Sequence, residues 1–317
     1  MLQRTNNKNQ GEFAMEGRPR RSAGSNERAL EKARSLPADA LIFDLEDAVA
    51  PDAKPLAREK VCDAVKSGGY GGREIVIRIN ALETPWGTED LIAACEAGPD
   101  AILVPKVAHP GDIISVAKIL QGMHAPDDLR LWAMMETPMA ILNARTIAAT
   151  AVYAENRLCC LVMGTNDLIK ESRARALHDR FAVVPWLAMT LAAARAYHLD
   201  IIDGVYNDFK DELGLREECE RGRTLGMDGK TLIHPSQIAP CNEVFSPTEE
   251  EVEWSRKIIA AFRQPENAKK GVIVVEGRMV ERLHLGMAER TVYIAESIRE
   301  MEAALPRESV VAPAAAQ

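Results

Sequence analysis

No window of the sequence approaches the ~18 apolar residues of a membrane span, and the amino-terminal stretch MLQRTNNKNQGEFAMEGRPRR has charges but no apolar h-region. Secretion and membrane insertion are not expected; a cytoplasmic protein is. Basic excess is also missing. With 39 Lys and Arg against 47 Asp and Glu the formal net charge is -8, which argues against bulk affinity for nucleic acid. The cluster Arg18, Arg20, Arg21 is a local exception, readable as a solvated arm or as a contact for an anionic ligand. The six cysteines form no C-x-x-C pair, and Cys159-Cys160 falls in an apolar run where thiols behave as small hydrophobes. Reduced thiols in a reducing compartment follow. The histidines show no ligand spacing, which makes a zinc site unfavourable.

What is present is 317 residues, 47% of them hydrophobic, enough for one large core or two small ones. Short β-branched or aliphatic runs recur at 41–45, 75–80, 101–105, 131–135, 159–164, 201–205 and 231–234, with amphipathic stretches between them. Strands alternating with helices mean parallel βαβ units. Seven such units are recognisable, whereas an eight-stranded barrel needs one more, ahead of the helix that begins near Asn26. The first strand is therefore expected to be shortened or missing, with 11–17 a poor substitute. Its loss would expose the edges of 41–45 and 231–234. After Pro235 the pattern changes: Ser246-Pro247-Thr248-Glu249-Glu250-Glu251 is a capped helix start, followed by an apolar-periodic run to Phe262. A short strand at 271–275, a turn at Gly277 and a final helix over 289–304 complete a separate C-terminal piece. The predicted organisation is an arm (1–22), a barrel (23–245), a C-terminal segment (246–305) and a disordered Ala/Pro-rich tail (306–317).

Buried parallel strands should be almost wholly apolar, so polar residues at their ends are informative, and they fall at one end. Asp44, Glu46 and Asp47 close the first recognisable strand, Arg78 and Asn80 the second, Lys106 the third and Glu136 the fourth; Asp167, Asp203 and His234 follow the rest. In a parallel barrel these ends share one mouth, where active sites are built. Each has a plainer reading: helix caps for Asp44, Glu46 and Asp47, a structural ion pair for Lys106, a packed strand-end ring for His234. Glu136 and Asp167 are harder to dismiss, since carboxylates near a barrel axis are costly without a cation between them. Two carboxylates completed by water and substrate are how proteins usually hold Mg²⁺.

These residues resemble the citrate lyase β-subunit-like (HpcH/HpaI aldolase) superfamily, and within it the malyl-CoA and citramalyl-CoA lyases. The resemblance rests on Gly24-Ser25-Asn26, Glu31-Lys32-Ala33, Asp44-Leu45-Glu46-Asp47, Arg78-Ile79-Asn80, Val104-Pro105-Lys106, Glu136-Thr137-Pro138, Gly164-Thr165-Asn166-Asp167, Ile233-His234-Pro235 and Gly277-Arg278-Met279-Val280-Glu281, in order along most of the chain. It implies a (β/α)8 TIM-type barrel, here with its first strand shortened or missing, plus a C-terminal helical lid segment, assembled as a homotrimer or homohexamer. It further implies Mg²⁺ held by Glu136 and Asp167, and cleavage of a 3-hydroxyacyl-CoA to an acyl-CoA and a 2-oxo acid. Arg78 would meet the thioester or enolate oxygen, with Asp44 beside it in the catalytic set. Asn26, Lys32, Ile233 and Pro235 would contact CoA, and Glu281, aspartate in well-known members, would be the acid/base that the lid delivers to a neighbouring subunit.

The chemistry fits the implied roles. Breaking the C2–C3 bond puts negative charge on a thioester enolate, so the site needs a Lewis acid and an oxyanion partner; a forked, permanently charged arginine supplies the latter. Two departures stand out: the absence of the strand and Pro-Gly turn that relatives carry before Gly24-Ser25-Asn26, and the extra methylene of Glu281. Thioester hydrolysis at the same site, an aldolase acting on free 2-oxo acids without CoA, and a catalytically impaired barrel serving as a subunit or binding module are the competing readings.

Overall fold

The computed structural model describes residues 12–14, 27–175 and 179–304. They fall into two compact units that divide between Phe245 and Ser246. In the first, strands β2 (Ala40–Asp44), β3 (Glu74–Arg78), β4 (Ala101–Val104), β5 (Arg130–Met135), β6 (Leu158–Met163), β7 (Asp200–Asp203) and β8 (Gly229–Leu232) pair in sequence order, all parallel, with helices between them. The sheet curls because twisted parallel strands carry helices on one face only. Both faces of each strand are buried. Ala40, Ile42, Val76, Leu103, Trp132 and Val162 belong to the cluster inside the curl, while Leu41, Phe43, Ile77 and Leu161 pack in the layer beneath the helices. That explains the near-continuous apolar runs in the sequence.

The expectation of a missing first strand and exposed edges is corrected in part. A three-residue strand β1 (Glu12–Ala14) pairs in parallel with Ala40–Ile42 on one side and with Thr231 and Leu232 on the other. The strand is shortened, not lost, and its residues come from upstream of Arg18. Main-chain pairing needs no sequence periodicity, which is why three residues suffice.

The second unit opens with the helix Glu249–Arg263, whose Thr248 side chain caps Glu251 N–H while the Glu251 side chain returns to Thr248 N–H. Strands β9 (Val272–Val275) and β10 (Arg278–Glu281) then form an antiparallel hairpin. Its two linking residues, Glu276 and Gly277, both have positive φ (49° and 79°), the backbone of a type I′ turn. β10 was not foreseen, and the last helix starts at Arg282, earlier than expected. Ile258, Phe262, Ile273, Val280 and Ala288 make this unit's own core. Among the described residues no helix is long and apolar enough to cross a membrane.

Candidate functional site

Asp44 and Arg78 are register partners at the C-terminal ends of β2 and β3. Arg78 donates from Nε to Asp44 Oδ1 (2.7 Å) and from Nη2 to Oδ2 (2.6 Å), a forked pair with the guanidinium buried. The backbone amides of Glu46 and Ala48 also donate to Asp44, at 2.9 and 3.0 Å. Burial by itself would raise the Asp44 carboxyl; the charge and hydrogen bonds of Arg78, with the two amides, outweigh it and hold the pKa below the ordinary value. The third arginine nitrogen, Nη1, lies 3.2 Å from Glu46 Oε2 and 3.7 Å from Asp47 Oδ2. Burial pushes Glu46 up to about 8 despite Arg78, and the charges of Glu136 and Asp47 add to the rise.

Glu136, directly after β5, is 1% exposed. Burial pushes its carboxyl up to about 7; Lys106 and Arg78 oppose the rise and Asp167 adds to it. The backbone N–H of Lys106 donates to Glu136 Oε1 at 2.7 Å, and its ammonium lies 3.6 Å from the same oxygen and 3.2 Å from Asp167 Oδ2. Asp167 projects from the first turn of the helix Thr165–Ser172, where the dipole favours an anion. Gly164 has to be glycine: a Cβ there would sit 2.3 Å from Glu136 Cβ and 2.9 Å from Oε2. Arg78, Glu136, Asp167, Asp47, Met134 and Asn166 line a cavity of about 70 Å³ at this end of the sheet.

The donor set suits magnesium. Glu136 and Asp167 present carboxylate oxygens to one cavity. Mg²⁺ favours few carboxylates and keeps waters.

Two buried polar networks hold the strand ends; the sequence reading picked out Asn80 and Asp203 but not their partners. In one, Lys54 donates to the carbonyls of Leu45 (3.0 Å) and Glu46 (2.8 Å) and to Asn80 Oδ1 (2.7 Å), while Asn80 Nδ2 donates to Leu45 O and to Asp90. This fixes the loop that brings Glu46 and Asp47 to Arg78. In the other, Arg180 forks onto Asp203 at 2.6 and 2.7 Å, and the wholly buried Lys230 donates to Glu218 and to the Gly204 carbonyl. Gly204 in turn packs on the Asp167 helix, for a Cβ there would lie 2.4 Å from Thr165 Oγ1. The lysine inside the wholly buried strand Gly229–Leu232 was the available signal.

Asn26 and the cluster Arg18, Arg20, Arg21 lie outside the described residues, as does the tail 306–317. Lys32 is exposed on the helix Glu27–Ala33. Ile233 and Pro235 are half-buried beyond β8, where Gln237 Oε1 accepts Ile233 N–H at 2.9 Å. His234 between them stacks on Phe209 with ring centroids 4.7 Å apart. Glu281 ends β10 in the second unit, half-buried, its N–H donating to His284 Nδ1 at 2.9 Å.

A curled parallel sheet with buried carboxylates, a lysine and a clamped arginine at the C-terminal ends of its strands is the architecture of an α/β enzyme. Residues 22–235 match the family model described as HpcH/HpaI aldolase/citrate lyase, and the chain belongs to this family. A protein named (3S)-malyl-CoA thioesterase from Cereibacter sphaeroides (strain KD131) is 50% identical over 280 residues, 88% of this chain and 94% of the relative. Mitochondrial citramalyl-CoA lyase from Homo sapiens is 30% identical, over 89% of this chain and 87% of its own. Among solved structures, the protein CitE from Mycobacterium tuberculosis in complex with magnesium, acetoacetate and coenzyme A superposes with a TM-score of 0.70 at 27% identity, covering 92% of this chain and 99% of the other.

Proposed function

We propose that this chain is a Mg²⁺-dependent enzyme that cleaves a malyl-type 3-hydroxyacyl-CoA to an acyl-CoA and a 2-oxo acid. The observation that carries the reading is the juxtaposition of Arg78, clamped on Asp44, with Glu136 and Asp167 on one cavity. Glu136 and Asp167 are the residues that would hold the ion, and bound there it would polarise the oxygens of the hydroxy or oxo acid as a Lewis acid. Arg78 presents a fixed positive charge to the thioester oxygen, where negative charge grows as the C2–C3 bond breaks. Asp44 keeps the guanidinium from turning, so little reorganisation is left for the transition state. Glu281 is the candidate for proton exchange at the acyl-CoA α-carbon. Asn26, Lys32, Ile233 and Pro235 are the proposed CoA contacts. A complete TIM-type barrel with a shortened first strand, a C-terminal lid segment after residue 245 and a homotrimeric or homohexameric assembly belong to the same proposal.

Thioester hydrolysis is a second outcome of the same site, favoured by the 50% identical relative that is named a thioesterase. Incubation with malyl-CoA, with and without Mg²⁺, and separate detection of 2-oxo acid and free thiol tells the two apart. Acyl-CoA and 2-oxo acid without thiol mean carbon–carbon cleavage; thiol without 2-oxo acid means hydrolysis. Metal-independent turnover, or none on any 3-hydroxyacyl-CoA, sinks the proposal. An aldolase on free 2-oxo acids would gain no thermal protection from CoA, and an impaired barrel would bind Mg²⁺ without turnover.

A further inference from the structure

Lys106 touches both proposed metal ligands at once. Its ammonium lies 3.2 Å from Asp167 Oδ2 and 3.6 Å from Glu136 Oε1. The backbone N–H of the same residue, 2.7 Å from Glu136 Oε1, ties Lys106 to the site independently of where its side chain points. Its φ of 53° is a conformation that non-glycine residues seldom adopt, so surrounding contacts hold the backbone in place. Lys106 also lines a second cavity, of about 300 Å³, together with Leu82, Glu83, Asp112, Ser115 and Val116. Lys106 thus borders both the carboxylate pair and a neighbouring space whose wall bears two further carboxylates.

A dication bound through Glu136 and Asp167 would take the same carboxylate oxygens that the ammonium faces. An ammonium on those same oxygens would lie within a few ångströms of it, and the two positive centres repel. We propose that Lys106 is a built-in counter-ion that competes with the metal: its ammonium neutralises Glu136 and Asp167 in the metal-free protein and turns into the side cavity, toward Glu83, when the ion binds. The inference rests on the reading of Glu136 and Asp167 as metal ligands. Metal affinity is then set below what two uncompensated carboxylates would give, and the metal-free fold is spared their mutual repulsion.

Isothermal titration of the full chain with Mg²⁺, alongside melting curves in chelator, tests this without any turnover. Lys106→Met is expected to bind Mg²⁺ about tenfold more tightly than the parent, the scale of one close charge pair in partly solvated surroundings. Its melting temperature in chelator should fall, and rise more than the parent's when Mg²⁺ is added. Lys106→Gln, which keeps the length and a donor but not the charge, should show the same gain and carries the test if the methionine variant does not fold. Glu83→Gln should weaken binding about twofold by making the side cavity less receptive to the ammonium. A parent that binds Mg²⁺ while neither Lys106 variant binds it more tightly overturns the counter-ion role and leaves the ligand assignment standing. If Glu136→Gln binds Mg²⁺ as the parent does, the ligand assignment fails and the counter-ion role fails with it.

Discussion

Asp44 and Arg78 face each other across adjacent parallel strands, and the two bonds between them, at 2.7 and 2.6 Å, occupy Nε and Nη2 of the guanidinium while Nη1 is directed at Glu46. Asp44 thereby fixes the plane and rotation of the Arg78 guanidinium at the mouth of the site. Asp44→Asn keeps an acceptor but loses the charge and the second parallel bond. It should lower kcat by about tenfold to a hundredfold through misplacement of Arg78, with a smaller change in KM. Steady-state kinetics on the malyl-type thioester checks this; an unchanged kcat would show that Arg78 needs no clamp.

Arg78→Lys preserves the charge but cannot fork. If the arginine acts mainly on the developing enolate, kcat should fall by more than KM rises. A pure KM effect would make Arg78 a ground-state binding residue.

Much of this could be read from the sequence, for physical reasons that can be named. The seven strands announce themselves because both faces of a curled parallel sheet are covered, so runs such as Ala101–Val104 and Leu158–Met163 are apolar throughout. Asp44, Arg78, Glu136 and Asp167 stand out for the same reason, as charges that interrupt such runs at one end. What was not legible depends on partners distant in sequence. Lys106 reads as any ion pair until Glu136 and Asp167 are seen on either side of it. Arg180, Asp203, Glu218 and Lys230 come from separate segments that only the fold brings together. β1 carries no signal because three residues show no periodicity, and β10 is too short, with Val280 its one buried residue.

Glu136→Gln and Asp167→Asn should each abolish measurable Mg²⁺ binding and activity while the fold stays intact. Either change still leaves the Lys106 ammonium one carboxylate partner, so the metal-free site keeps a balanced charge pair. The melting temperature without metal should therefore hold. Calorimetric binding together with melting curves decides; parent-like binding in both variants would refute the assignment.

The metal-free protein should lose stability as pH rises from about 4.5 to about 8, and Glu46 is a main reason. A glutamate is ordinarily near 4.5, and burial raises Glu46 to about 8 in the folded chain. Below 4.5 the group is protonated in both states and contributes nothing to the dependence. Between the two values the folded chain binds more protons than the unfolded one, so stability falls with rising pH; above about 8 the loss is complete and constant. Glu46→Gln should flatten this decline by at least about 1 kcal/mol across the window. Denaturant melts in chelator at several pH values provide the measurement, and parallel curves for parent and variant would remove Glu46 as the cause.

Lys230 neutralises Glu218 and Asp203 in the interior and also binds the Gly204 carbonyl. Lys230→Met leaves those carboxylates with Arg180 as their neighbouring cation, an imbalance of buried charge that typically costs about 3–5 kcal/mol. Because Gly204 packs on Thr165, the first residue of the helix that carries Asp167, the effect should extend to the metal site. A melting temperature reduced by several degrees, with Mg²⁺ affinity lowered in the protein that remains folded, is the expected result.

The shortened first strand gives the last prediction. β1 pairs Glu12, Phe13 and Ala14 with Ala40, Leu41 and Ile42, and Glu12 and Phe13 with Thr231 and Leu232. Removing residues 1–14 would leave both neighbours with unpaired main-chain groups along an open edge. Losing a handful of ladder hydrogen bonds worth about 1 kcal/mol each should cost a few kcal/mol, or roughly 5–10 °C in Tm for a unit of this size. An open edge should also promote aggregation on heating, visible as light scattering. Conversely, inserting an extra apolar strand and a Pro-Gly turn between Ser22 and Gly24 should not raise Tm, since the position between β2 and β8 is already filled. A stabilising insertion combined with a neutral deletion would mean that β1 contributes nothing to holding β2 and β8 together.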